Sequence, residues 1–82
     1  MTTTIKPIVS EKAVKLIETE NVILFRTERK MKKPDIKKEI EELFKVKVEK
    51  INTLLRGNKK FAYVKLKKEF PAIDLATRLG MI

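Results

Sequence analysis

The sequence predicts an α/β sandwich of the split βαβ kind, an antiparallel sheet with helices packed mainly on one face. Three observations predict it. Apolar residues recur at helical spacing in three runs, each following one of the prolines Pro7, Pro34 and Pro71. Three other runs are β-rich or alternate strictly between apolar and polar residues. The runs follow in the order helix, strand, helix, strand, strand, helix, and the last two strands are joined by the tight-turn pair Gly57-Asn58. Right-handed crossovers then place the helices of the unit on the same side of the sheet.

Each element has its own reason. Residues 1–9 read as extended chain. Ser10 is a suitable N-cap, and Ala13, Leu16 and Ile17 behind it share one helical face. Asn21 ends that helix. Val22–Thr27 is rich in β-formers. Glu28–Lys33 is a charged loop, and Pro34 opens the second helix as its first residue, with Asp35 in the first turn. Ile36, Ile40, Leu43 and Phe44 form its apolar stripe. On the other side Lys37–Glu41 and Lys38–Glu42 are spaced as i, i+4 pairs. Val46–Leu55 reads as a strand whose alternation changes parity between Val48 and Ile51, the mark of a bulge. In the return strand Phe61–Lys67, Ala62, Val64 and Leu66 point one way, and Phe61, Tyr63, Lys65 and Lys67 the other. Pro71 opens a last helix with Ala72, Leu75, Ala76 and Leu79 inward, and Gly80 stops it. The sequence stops soon after that helix, so the usual fourth strand of such a fold is expected to be missing.

Eighty-two residues make a single domain, 1–82, with a thin core. There is no cysteine and no histidine. Disulfides, thiolate metal sites and the common nucleophile–base pairs are thereby removed, so neither an enzyme nor a metal or cofactor is expected. No apolar run reaches the roughly 20 residues that span a bilayer, and no signal segment precedes the first helix. A cytoplasmic protein without a membrane partner is expected.

The net charge is +9, and its placement is uneven. Between Lys45 and Lys68 nine basic residues face Glu49 alone. Such a concentration favours a polyanion partner at one face. Three features could meet it. Lys59-Lys60-Phe61-Ala62-Tyr63-Val64-Lys65-Leu66 sets aromatics among lysines, close to an RNA-recognition signature, with Lys60 where that pattern has glycine. Phe61 and Tyr63 either stack on RNA or pack on the N-terminal segment; both readings stand. At the hairpin tip Arg56, Lys59 and Lys60 flank Gly57 and Asn58, which can take positive φ and bring the backbone close to a phosphate. Arg29-Lys30-Met31-Lys32-Lys33 puts four charges before a helix N-terminus, suited to a phosphate or to water.

Four motifs in order give the chain a family likeness. Pro7-Ile8-Val9-Ser10-Glu11-Lys12-Ala13 resembles P-x-x-S-E-K-A of the large-subunit ribosomal protein twenty-three family. Lys33–Lys37 with Glu42–Val48 resembles its central helix and strand entry. Val48-Glu49-Lys50-Ile51-Asn52-Thr53 resembles V-x-x-V-N-T, and Lys59–Leu66 resembles K-K-A-Y-V-x-L. The resemblance implies a ferredoxin-like or RNA-recognition-like fold that binds large-subunit ribosomal RNA near the peptide-tunnel exit, beside large-subunit protein twenty-nine. The candidate RNA-binding residues are Lys6, Lys12, Lys32, Lys33, Lys37, Asn52, Thr53, Arg56, Asn58, Lys59, Lys60, Tyr63 and Lys65. Ser10 and Glu11 hold the factor-docking position, which in bacterial members meets the ribosome-bound chaperone. Bacterial members also carry a long basic finger in the hairpin that Gly57-Asn58 closes here. This short form resembles archaeal members and implies docking of the signal recognition particle and other tunnel-exit factors.

Two other functions fit the fold class. A free-standing RNA-binding module would usually add a fourth strand after the last helix. An acylphosphatase-like enzyme would need an anion-cradling, glycine-bearing loop after the first strand, where this chain has Glu28-Arg29-Lys30-Met31.

Overall fold

The computed structural model describes residues 5–80. Strand β1 (Lys6–Pro7) is followed by α1 (Glu11–Glu20), β2 (Val22–Thr27), α2 (Lys33–Phe44), β3 (Val48–Arg56), β4 (Lys59–Leu66) and α3 (Ala72–Arg78). The sheet is antiparallel throughout, in the order β1-β2-β4-β3. This is the ferredoxin-like split βαβ arrangement with one difference from expectation. No strand follows α3 among the described residues; the sheet takes its fourth strand from the N-terminal segment instead. Lys6 pairs with Arg26 and Pro7 with Phe25, so β1 occupies the edge beside β2. Two residues are too few for alternation to show, and a proline is tolerated at an edge because its missing donor interrupts no inner ladder. Of the extended chain expected over 1–9, Met1–Thr4 lie outside the described residues.

Local chemistry sets the helix ends. Ser10 is in extended backbone, and its hydroxyl accepts the Ala13 N–H at 3.1 Å, satisfying one of the donors a helix start leaves free. Asn21 closes α1 in the left-handed region, φ 58°, which asparagine tolerates better than most residues. Helix α2 begins one residue before Pro34, with Lys32 at the cap position. Proline is still harmless in that first turn, where no intrahelical acceptor awaits its N–H.

The core lies between the helices and one face of the sheet. Ile23, Phe25, Ala62, Val64, Leu66, Val48 and Ile51 line that face, and Ile17, Ile36, Ile40, Ala72, Leu75 and Ala76 cover it. Phe44 stacks on Phe25 with ring centroids 5.9 Å apart. Leu43, expected in the buried stripe, is 56% exposed. The contact follows the i, i+4, i+8 ridge Ile36–Ile40–Phe44, which winds around the helix, so by the last turn Leu43 sits a quarter-turn away from the sheet. The i, i+4 pairs expected on α2 do not form either: the one ion pair among the described residues is Lys65–Glu49 at 3.9 Å. Glu41 instead accepts the Val48 N–H at 2.8 Å, where β3 enters the sheet. The register shift between Val48 and Lys50 follows directly.

Candidate nucleic-acid interface

Strand parity makes the other sheet face from what the core leaves over. Directly paired residues share a face. One row across the sheet is therefore Lys6, Arg26, Phe61 and Leu54. The next is Leu24, Tyr63 and Asn52, and the third is Val22, Lys65 and Lys50. Phe61, Tyr63, Leu24 and Val22 are half-buried; the rest are exposed. The two aromatics stand on β4, an inner strand, and the basic residues stand around them.

At the hairpin end this face runs into a shallow depression. Its walls are Lys6 from β1, Arg26 and Thr27 from β2, Glu28, Arg29 and Lys30 from the following loop, and Asn58 and Lys59 from the hairpin tip. Five basic side chains meet one acidic one. Opposing charges are too few to neutralise the cluster, so it favours an anion. The tip is built by Gly57 at φ 60°. Of the two turn residues only the first has positive φ, the type II′ pattern, so Asn58 does not use the conformation expected of it. Arg56 and Lys59 pair across the hairpin with their side chains on the uncovered face.

The residues singled out from the sequence fall into four places. Lys6, Asn52, Arg56, Asn58, Lys59, Tyr63 and Lys65 belong to the uncovered face or its hairpin end. Lys33 and Lys37 line a groove along the α2–β3 edge, which Lys50 also lines; Lys32 stands exposed at the α2 cap. Lys12, Ser10 and Glu11 are exposed at the start of α1, in the helical layer. Thr53 and Lys60 face the helices, because they pair within the inward rows of Ala62 and Thr27. For Lys60 this corrects the picture of an exposed tip lysine. Its ammonium donates to the Met31 carbonyl, and it is half-buried. It ties β4 to the loop before α2, whose Met31 side chain is itself buried. Arg26 was missed as a site residue, although the alternation of Val22–Thr27 already sets it opposite Phe25.

Among the described residues no group of carboxylates could hold a metal ion, and no helix is long and apolar enough to cross a membrane. Among the described residues the molecule is a helix-backed sheet with one uncovered face, aromatic at its centre and bordered by basic residues. The family model for ribosomal protein L23 matches residues 2–73. The chain belongs to the ribosomal protein L23 family, and is thus a large-subunit ribosomal protein, a structural component and not a member of an enzyme family. The match ends at the second residue of α3, so it takes in the whole sheet and the hairpin tip.

Proposed function

We propose that this protein binds large-subunit ribosomal RNA near the exit of the peptide tunnel, in the cytoplasm, next to large-subunit protein twenty-nine. The observation that carries the RNA reading is the convergence of Lys6, Arg26, Arg29, Lys30 and Lys59 from four separate segments onto one depression. Lysines and arginines so placed neutralise phosphates and release their counterions. Lys33 and Lys37 at the α2–β3 edge supply a second phosphate contact, and Lys12 and Lys32 add charge at two helix starts.

The start of α1 is the docking position for the signal recognition particle and other tunnel-exit factors. Ser10 spends its hydroxyl on the cap, whereas Glu11 is exposed and lacks an ion partner among the described residues. Glu11 also favours the helix dipole by roughly 0.3–1 kcal/mol, which alone could account for a carboxylate there. Charge reversal separates the roles. Large subunits assembled with Glu11→Lys should keep the protein through a high-salt wash and bind the signal recognition particle more weakly than wild type. Equal affinity would leave Glu11 as a helix-end residue. Loss of the wild-type protein from subunits in the wash would favour a free-standing RNA-binding module instead.

A further inference from the structure

An uncovered sheet face needs polar residues if only water meets it. This one carries Phe61 and Tyr63 side by side on β4, with Leu54 beside Phe61 and Leu24 beside Tyr63. Leu54 is 44% exposed. Of the N-terminal segment, the described residues do not lie across them: Lys6 and Pro7 continue the sheet in its own plane, and Ile8 extends that pairing by donating to the Leu24 carbonyl at 3.0 Å. Of the acidic residues bordering this face, Glu49 is paired with Lys65 and Glu28 stands in the depression among five basic side chains. The face is therefore apolar and aromatic at its centre and basic at its border.

We propose that this face takes unpaired nucleotides of RNA, bases on Phe61 and Tyr63 and a flanking phosphate in the depression beside Arg26 and Lys59. The inference rests on the RNA reading above and narrows it from RNA in general to unpaired strand. The reason is where each RNA form keeps its apolar surface. A duplex buries its base faces in its own stack and offers phosphates and sugar edges, so it would gain from the lysines and nothing from the rings. An unpaired strand exposes base faces, and aromatic rings stack on any of them. Phe61 and Tyr63 are two residues apart on one strand, hence roughly 7 Å apart, a separation that neighbouring splayed nucleotides can span. Arg26 is the direct cross-strand neighbour of Phe61, which puts a phosphate contact one position from a stacked base. Asn52, exposed beside Tyr63, has an amide free for a base edge.

Tyr63 reports on its own contacts, because the chain has one tyrosine and no tryptophan. The full-length protein is titrated with a single-stranded oligoribonucleotide of about eight nucleotides, and with the same strand annealed to its complement at equal phosphate concentration. The single strand should quench the tyrosine emission and bind more tightly; the duplex should bind by charge and leave the emission nearly unchanged. Tyr63→Leu should weaken single-strand binding roughly tenfold to a hundredfold with the salt dependence unaltered, and Tyr63→Phe should restore it. Equal quenching by duplex, or wild-type affinity in Tyr63→Leu, would overturn the inference. Binding of the wild-type chain to large-subunit ribosomal RNA, measured alongside, would then still stand for the broader reading. A wild-type chain that binds none of these RNAs removes both.

Discussion

The side-chain amide of Asn21 donates to the carbonyls of Leu66, Lys67 and Phe70 at 3.0, 3.4 and 3.4 Å, and its oxygen accepts the Ala72 N–H. One residue thus ends α1, holds the end of β4 and fixes the start of α3. Nothing in the sequence announced this beyond a helix stop, because the partners lie more than forty positions away and are all backbone. Asn21→Ala should cost about 2–4 kcal/mol, the sum of several lost hydrogen bonds and left-handed strain. Asn21→Gly should cost roughly 1 kcal/mol less, since glycine accepts the conformation but not the bonds. Equal melting curves for wild type and Asn21→Ala would remove Asn21 from this role. Lys59 and Lys60, adjacent and identical in sequence, differ in the same way through surroundings. Lys59→Ala should leave stability within about ±0.5 kcal/mol and lower RNA affinity. Lys60→Ala should loosen the Glu28–Lys32 loop, seen as faster amide exchange at Met31, whose N–H bonds to Glu28. A Lys60→Ala loop that exchanges at the wild-type rate would mean the tether carries no load.

At the scale of elements, β4 was the most legible part of the chain. Its buried and open residues alternate as strict periodicity requires, and Ala62, Val64 and Leu66 are all buried to 1% exposure or less. The bulge in β3 was legible for the same reason, since parity has to break where pairing does. Three things were not. Strand β1 is too short to carry a pattern. The exposure of Leu43 is not legible because the spacing of Ile36, Ile40, Leu43 and Phe44 does not show which ridge of α2 meets the sheet. Glu41 looked like half of a surface pair because the Val48 N–H it serves belongs to another element. The reading of α2 is checked by a pair of substitutions. Ile40→Ala should destabilise the fold by roughly 2–5 kcal/mol, and Leu43→Ala should change it by no more than about 0.5 kcal/mol. Similar losses for both would put Leu43 back in the core.

For the whole molecule, the two layers divide the work. The helical layer buries the sheet's inner face and leaves Ser10 and Glu11 at its surface. The other face of the sheet keeps the aromatics and most of the hairpin's charge. The uneven charge between Lys45 and Lys68 was plain in the sequence, but its location was only half plain. The depression draws four of its five basic residues, Lys6, Arg26, Arg29 and Lys30, from the first half of the chain, where acids nearly balance bases in number. Folding, not composition, gathers them. The measurement that tests the account most directly is the salt dependence of binding to large-subunit ribosomal RNA, compared between wild type and the double variant Arg26→Ala, Lys59→Ala. Each phosphate contact contributes roughly 0.7–0.9 to the log–log slope. The wild-type slope should be steep, and the double variant should lose about 1.4–1.8 of it with an unchanged melting temperature. A wild-type affinity that is flat in salt, or a double variant with the wild-type slope, would contradict the claim that this face holds the RNA.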